Sequence, residues 1–340
     1  MYNFDNIHNI REVAGLKHYI GMDVGGTKIK AAIISSKGDI LDNIKVFDSK
    51  SKESKENIIN NFKFIMNELV AKNTLYGIKL SGVGLAFPGP FDYGKGVSYI
   101  KGLNKYEHIY EIKLKEELKT AIENNIELEK NFEKDFKISF SNDGDLFSLG
   151  EYLNGYAKDS IRTICICIGT GVGSSFLEKG NLIKEAINVP KEGWIFHTPY
   201  REGIVDDYIS ARGILSISKD TESLKDIKEV SQLYDLAMSD NYEAKEVFKE
   251  FGKRLREVMI SFFNEFKPDT FVIGGQISKS FIFFGEEISK ECRDRRINLY
   301  VSKDTSGSTL RGVAMLFGGE VCERLMNRIC IKNTDFIRED

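Results

Sequence analysis

Residues 19–34 most constrain the fold, because they contain two apolar segments joined by a glycine turn. The first segment ends at Asp23, the turn reads Gly25-Gly26-Thr27-Lys28, and the second segment returns with alternating apolar positions. This pattern predicts a β-hairpin. Adjacent glycines let backbone N–H groups approach an anion, and a carboxylate suits a hydrated Mg²⁺. The turn therefore predicts phosphate binding, although a tight hairpin without a ligand has the same pattern.

Three other predicted strands end in related signals. Residues 163–177 repeat the plan of strand, glycine turn and strand, with Gly169-Thr170-Gly171 at the tip. The strand predicted near 137–141 ends in Asn142-Asp143, and the apolar run at 270–273 stops at Gly274-Gly275. Each signal alone is weak. In this order they indicate a nucleotide held between two related lobes, with its phosphates at the paired hairpins.

The sequence resembles the ROK family of sugar kinases and sugar-responsive repressors, within the actin/hexokinase superfamily, from about Tyr19 to about Gly319. The motifs that carry the resemblance are Asp23 to Lys28, Gly82-Val83-Gly84, Pro88-Gly89-Pro90, Asn142-Asp143, Gly169 to Gly173 and Ile273-Gly274-Gly275. The resemblance implies an α/β fold of two ribonuclease-H-like lobes with a central cleft. It places residues 1–140 in the N-terminal lobe and 141–307 in the C-terminal lobe, with a helix near 308–325 packed back on the first lobe.

The resemblance also implies ATP-dependent phosphorylation of a hexose or N-acetylhexosamine hydroxyl, and we assign the 6-hydroxyl. Asp23 is expected to hold Mg²⁺ through water. The residues expected to bind ATP are Asp23, Gly25, Gly26, Thr27, Lys28, Gly169, Thr170, Gly171, Gly274 and Gly275. Those expected to bind the sugar are Gly89, Asn142, Asp143, Glu192 and Asp206.

Asp143 is the candidate general base. Phosphoryl transfer needs alignment, charge neutralisation and a group near the attacking hydroxyl, and Asp143 follows a predicted strand where that group is expected. Asn142 would hydrogen-bond neighbouring sugar hydroxyls. Two alternatives stay open: Asn142-Asp143-Gly144 has the pattern of a helix N-cap, and Asp145 is a competing carboxylate.

The sugar side departs from the family pattern. Where the family has Glu-x-Gly-His followed by a cysteine-rich zinc loop, this chain has Lys191-Glu192-Gly193-Trp194 and no cysteine between Cys167 and Cys292. A tetrahedral zinc site needs more ligands than His197 alone, so we expect no zinc site. The altered residues are expected to change which sugar is bound, and glucose, N-acetylmannosamine and N-acetylglucosamine all remain candidate substrates. Trp194 is either a stacking surface or core.

Composition argues against nucleic-acid-binding and membrane-spanning proteins. A net charge of −3 gives no basic footprint for nucleic acid, and no segment of the 340 residues approaches the length of a membrane span. The five cysteines form no disulfide pattern, so we expect a reduced cytoplasmic protein. By analogy we expect a homodimer. The alternative functions are a sugar-binding regulator without catalysis and a DNA-binding repressor, and the short segment before Asp23 disfavours the repressor.

Periodicity and turn residues predict the remaining elements. Besides the strands above, we expect strands near 40–47, 82–87 and 297–301, helices near 54–72, 114–124, 144–154, 206–216, 228–238 and 242–266, and a last helix from about 308.

Overall fold

The computed structural model describes residues 16–73 and 77–318. The chain divides into two compact units, Met1–Leu153 with Ser306–Asp340, and Asn154–Thr305. Residues 319–325 of the predicted last helix, together with Cys322 and Cys330, lie outside the described residues. The expected lobe boundary between 140 and 141 stays a prediction, whereas the compact units divide after Leu153.

The first unit is built around a sheet. In chain order its elements are strands β1 His18–Val24, β2 Lys28–Ser35 and β3 Lys45–Asp48, helix α1 Lys55–Asn73, strands β4 Leu80–Ala86, β5 Phe91–Asp92 and β6 Val97–Ser98, a 3₁₀ turn Glu107–Ile109, helices α2 Leu114–Glu123 and α3 Ile126–Glu129, strand β7 Phe132–Ser141 and helix α4 Asp143–Asn154. The main sheet has the order β3-β2-β1-β4-β7. Strands β1, β4 and β7 are parallel, and β1 and β2 form the predicted antiparallel hairpin.

The core of this unit follows from the sequence pattern. Strand β4 is buried along its whole length, as expected of a central parallel strand. Helix α1 buries Ile58, Phe62 and Ile65 at helical spacing, whereas Ile59 is only partly buried.

The first unit also contains a late part of the chain. Helix α10, Thr305–Gly312, belongs to this unit from Ser306 onward and leads into a 3₁₀ segment, Val313–Phe317. The ring of Phe317 stacks on Tyr19 of β1, with centroids 4.2 Å apart and planes within 7°. Stacking at this distance buries both rings efficiently and ties residues 306–318 to the sheet.

The second unit is also built around a five-stranded sheet, in which Arg162–Ile168 pairs with Val172–Glu178 on one side and with Thr270–Gly274 on the other. Its elements are strands β8 Arg162–Ile168, β9 Val172–Glu178 and β10 Asn181–Leu182, a 3₁₀ turn Lys191–Gly193, strands β11 Pro199–Tyr200 and β12 Gly203–Ile204, helices α5 Val205–Tyr208, α6 Ala211–Lys219, α7 Val230–Met238 and α8 Tyr242–Phe266, strand β13 Thr270–Gly274, a 3₁₀ segment Gln276–Ser280, helix α9 Phe281–Asp294 and strand β14 Asn298–Val301. Helices α8 and α9 pack together through edge-to-face contact of Phe251 and Phe284.

The structure corrects three element predictions. The strand expected near 40–47 is shorter, since β3 begins at Lys45 and Ile40 forms only an isolated bridge. The helix expected at 206–216 is two helices, because Ser210 has extended backbone and its hydroxyl donates to the Asp206 carbonyl at 2.6 Å. The last helix begins at Thr305, and α9 was not predicted.

Within 16–73 and 77–318, no helix combines the length and the apolar composition that crossing a membrane requires.

Candidate active site

Three loops of the first unit meet at one edge of its sheet. Asp23 lies opposite Ala86, which in turn lies opposite Ser141. Parallel strands end at the same edge, so the turn after β1, the Pro88-Gly89 loop after β4 and Asn142-Asp143 after β7 are brought together. Ligands of open α/β sheets bind at this edge.

The first glycine turn directs its carbonyl groups into the protein. The Tyr106 hydroxyl donates to the Gly25 carbonyl at 3.1 Å, and the Ser49 hydroxyl donates to the Gly26 carbonyl at 2.7 Å. The N–H groups of Gly26 and Thr27 have no hydrogen-bond partner among the described residues. Successive unpaired N–H groups form the kind of concavity that binds anions.

Lys28, expected to contact phosphate, pairs instead with Asp48 of β3 at an N–O distance of 2.5 Å. Both side chains are exposed, and an exposed pair of this kind contributes little free energy. The ammonium of Lys28 can therefore leave Asp48 and bind a more strongly charged ligand such as phosphate.

Asp23 is a partly buried carboxylate beside a lysine. Lys30 lies opposite it on β2 and donates to the Ser306 hydroxyl oxygen, and Ser306 also hydrogen-bonds Asp23. The pKa of Asp23 is raised to about 6, mainly by burial and also by the charge of Asp143, while Lys30 and Ser306 limit the rise. A carboxylate with reduced hydration at a strand end suits a divalent cation.

Asp143 is the first residue of α4. Asn142 caps this helix, because its Oδ1 accepts the N–H of Gly144 at 2.9 Å, so the helix-cap interpretation holds for Asn142. Part of Asp143 is open to solvent, but protein around the carboxylate reduces its hydration and raises its pKa. The Gly144 N–H and the charge of Lys105 act in the opposite direction, while Asp145 raises the pKa further.

Tyr93 connects the predicted sugar residues of the first unit. The Nδ2 of Asn142 donates to the Tyr93 hydroxyl at 3.4 Å, and that hydroxyl donates to the Phe87 carbonyl at 3.1 Å. A Cβ on Gly89 would lie 3.5 Å from the same hydroxyl. Burial raises the pKa of Tyr93, so the phenol stays protonated as a hydrogen-bond donor. Sequence reasoning missed Tyr93, although it follows the Pro-Gly-Pro motif closely.

The second glycine turn is held by Asp206. The Asp206 Oδ1 accepts the N–H of Val172 at 2.7 Å, and its Oδ2 pairs with Arg212. A Cβ on Gly171 would lie only 2.9 Å from Oδ1, so any larger residue at this position would require the Asp206 side chain to shift. The carboxylate expected to bind sugar is thus engaged in shaping the turn, and its sugar contact stays a prediction.

The rest of this turn resembles the first. The Gly169 carbonyl accepts the N–H of Ala211 at 2.9 Å, while the N–H groups of Thr170 and Gly171 have no hydrogen-bond partner within the described part of the chain. A Cβ on Gly169 would meet no atom within 4 Å, so open space lies beside the turn.

Gly275 directly follows β13 at the end of the second sheet. Its φ is +91°, and a Cβ there would lie 2.2 Å from the Ile168 carbonyl oxygen. Its N–H donates to the Thr305 hydroxyl at 2.8 Å. Because Gly274 pairs with Cys167 in the parallel register of β13 and β8, the glycine pair and the 169–171 turn share one edge.

The altered sugar segment is irregular. Glu192 has a φ of +59° and lies 3.8 Å from the Lys184 ammonium. Trp194 is half-buried, its indole N–H has no hydrogen-bond partner among residues 16–73 and 77–318, and His197 is exposed beside Phe196. In the residues that the structure describes, no three His, Cys, Asp or Glu side chains group closely enough to hold a metal ion.

Comparison with known proteins identifies the family. The model of the ROK family matches residues 19–317. The glucokinase of Halalkalibacterium halodurans is 25% identical over 286 residues, which are 77% of this chain and 81% of that protein. The chain belongs to the ROK family, because the family model covers most of it.

Solved structures agree on the fold. The ROK hexokinase from Thermus thermophilus superposes with a TM-score of 0.69 at 18% identity, covering 88% of this chain and 97% of its own. A ROK glucokinase from Streptomyces griseus, solved with glucose and AMPPNP, has a TM-score of 0.66 at 20% identity and covers 89% and 99%. The predicted α/β fold of the actin/hexokinase type is confirmed.

The residues present fit ATP and Mg²⁺. Each glycine turn presents unpaired N–H groups that suit phosphate oxygens, and Asp23 offers a carboxylate at the first turn. Protein sites hold Mg²⁺ with one or two carboxylates plus water and substrate phosphates, so a closed cluster of protein ligands is not required.

Proposed function

We propose that this ROK-family sugar kinase transfers the terminal phosphoryl group of ATP to a hexose or N-acetylhexosamine, with the 6-hydroxyl as acceptor. One observation carries the proposal: Asp23, near the end of β1, and Asp143, two residues after the end of β7, lie at the same edge of the sheet, where the charge of Asp143 raises the pKa of Asp23. Two carboxylates beside an anion-binding turn supply the two roles that phosphoryl transfer needs, a metal holder and a proton acceptor.

Asp143 is the proposed base. Its raised pKa makes it a better proton acceptor than an ordinary surface aspartate, and the Gly144 N–H and the charge of Lys105 stabilise its ionised form. Asp145, the competing carboxylate, is fully buried. Burial removes Asp145 from direct contact with a substrate that enters from solvent, which supports Asp143.

Sugar recognition in the first unit is assigned to Gly89, Asn142 and Asp143, with Tyr93 as a further hydroxyl. A partly buried hydroxyl and amide that already bond each other can orient sugar hydroxyls and reject analogues that lack them. In the second unit, Glu192 is the proposed sugar contact. Asp206 is proposed to hold the 169–171 turn on the nucleotide side, and its sugar contact stays a prediction from the sequence.

The turns at 25–28 and 169–171 are proposed to bind the phosphates, and Gly274-Gly275 to lie beside the adenosine. Mg²⁺, when bound through water to Asp23, would neutralise phosphate charge. The cytoplasmic location, the homodimer and the absence of nucleic-acid partners stay predictions from the sequence.

The test is a coupled assay of ADP release across a panel of hexoses and N-acetylhexosamines, with NMR assignment of the phosphorylated position. We expect one or a few sugars to stimulate ADP release strongly and to yield the 6-phosphate. Binding of a sugar without stimulation by any of the panel would instead support the non-catalytic regulator.

A further inference from the structure

The side chain of Lys105 lies across the first glycine turn. If Gly26 carried a Cβ, that atom would lie 3.1 Å from the Cδ of Lys105 and 3.8 and 4.0 Å from its Cβ and Cγ. The stem of the lysine therefore fills the space that a side chain at position 26 would occupy. Lys105 itself is half-buried.

The positive charge of Lys105 also stabilises the ionised carboxylate of Asp143, the first residue of α4. No carboxylate oxygen lies within 4 Å of the Lys105 ammonium in the described part of the chain. A lysine that loses hydration normally gains an anionic partner in exchange. The methylene groups of Lys105 pack on the anion-binding turn, and its positive charge acts on Asp143, the candidate base. Its ammonium has no anionic partner among the described residues.

The loop that carries Lys105 is fixed to the turn. The next residue, Tyr106, is fully buried, its N–H donates to the Ser51 carbonyl at 2.6 Å and its hydroxyl donates to the Gly25 carbonyl at 3.1 Å. Asn104, on the other side, donates its N–H to Glu107 at 2.7 Å. These bonds position the lysine on the turn before any ligand binds, which is the arrangement that electrostatic catalysis requires.

We propose that the Lys105 ammonium binds the terminal phosphate of ATP and stabilises its charge during transfer to the sugar. This rests on the proposed function. In the step, the bond from the terminal phosphorus to the bridging oxygen of ADP breaks, the sugar oxygen forms the new bond, and the hydroxyl proton passes to Asp143. Lys105 keeps its proton throughout, so it acts by charge alone.

The competing explanation is that Lys105 only supports the loop with its stem. Lys105→Met keeps the stem and removes the charge, so it separates the two explanations. Lys101→Met is the matched control, because Lys101 is an exposed lysine of the same loop whose ammonium lies 5.5 Å from the Tyr110 ring centroid.

The experiment measures the affinities of ATP and ADP by calorimetry with Mg²⁺, together with turnover, sugar affinity and melting temperature. For K105M we expect about a tenfold loss of ATP affinity with ADP affinity nearly unchanged, as removal of one charged hydrogen bond predicts. Turnover should fall by about 10²–10³, the usual effect of deleting one preorganised donor. Sugar affinity and melting temperature should match wild type, and K101M should match it in every measurement.

If the wild type phosphorylates a sugar but K105M retains its turnover and its preference for ATP over ADP, the role of Lys105 is refuted and the kinase function stands. A wild type that binds no ATP would refute both. Should K105M melt earlier than wild type, Lys105→Gln provides the same comparison. Lys105→Arg, which retains the charge, is expected to keep the preference for ATP, and its loss in a folded K105R would also overturn the proposal.

Discussion

Asp23 is expected to lower the stability of the ligand-free protein, and Asp23→Asn removes that effect. The carboxylate is partly buried and repelled by Asp143, with incomplete compensation from Lys30 and Ser306. An amide has nearly the same shape and no charge. We therefore expect D23N to unfold at a higher temperature than the wild type at neutral pH while losing activity, which is a common trade-off at active sites.

The magnitude follows from the pKa. The pKa of Asp23 rises from 3.8 to about 6 in the folded protein, a shift of about 2 units that corresponds to at most about 3 kcal/mol at about 1.36 kcal/mol per unit. Residual hydration of a partly exposed group reduces this penalty, so we expect the free energy of unfolding of D23N to exceed that of the wild type by about 1–2 kcal/mol. For a unit of this size that is a rise of about 3–6 °C in melting temperature.

The destabilisation by the Asp23 carboxylate depends on pH. Above pH 6 the carboxylate is charged in both the folded and the unfolded chain, and the folded state bears the full penalty. As the pH falls from about 6 to about 4, the folded protein takes up the proton and the penalty disappears. The advantage of D23N should therefore be largest above pH 6 and vanish near pH 4.

The assay is differential scanning calorimetry without metal or nucleotide at several pH values. Asp48→Asn is the control, because Asp48 is an exposed carboxylate whose pKa is lowered by its hydrogen bond to Lys28, so its removal should give no gain. Equal melting temperatures of D23N and wild type at pH 7.5, or a gain that persists at pH 4, would refute the reasoning.

Two further predictions concern the metal and the second turn. Activity should require Mg²⁺ or Mn²⁺, yet the purified protein should hold no stoichiometric zinc; one tightly bound zinc per chain by elemental analysis would show that the interpretation of the 191–206 region is wrong. Asp206→Asn should raise the KM for ATP several-fold and leave the KM for sugar nearly unchanged, because Asp206 accepts the N–H of Val172 and pairs with Arg212. A selective rise in the KM for sugar would instead support the predicted contact between Asp206 and the sugar.

The sequence predicts those parts of the fold that depend on local pattern. The hairpin of β1 and β2 matches the predicted strands because apolar alternation and a glycine turn define it. Helix α9 was missed because its first turn, Phe-Ile-Phe-Phe, followed by Gly285, has no helical periodicity by itself. Its helical state depends on packing against α8, where Phe251 meets Phe284, and such contacts are invisible in a linear pattern.

The same distinction applies to the candidate site. Glycine turns and strand-end carboxylates have sequence signatures, so Asp23, Asn142 and Asp143 were predicted. Lys105 and Tyr93 reach the site through loops, and no local pattern distinguishes them from surface residues. Their positions depend on long-range bonds, such as that from the Asn142 amide to the Tyr93 hydroxyl at 3.4 Å.

The central claim is that Asp143 accepts the proton of a sugar hydroxyl during phosphoryl transfer, and the most direct test compares ADP release by wild type and Asp143→Asn with the preferred sugar. The amide retains shape and hydrogen bonding but cannot take the proton. We expect turnover to fall by about 10²–10⁴, with sugar affinity within a few-fold of wild type. Unchanged turnover in D143N would contradict the claim and would make Asp145 the next carboxylate to test.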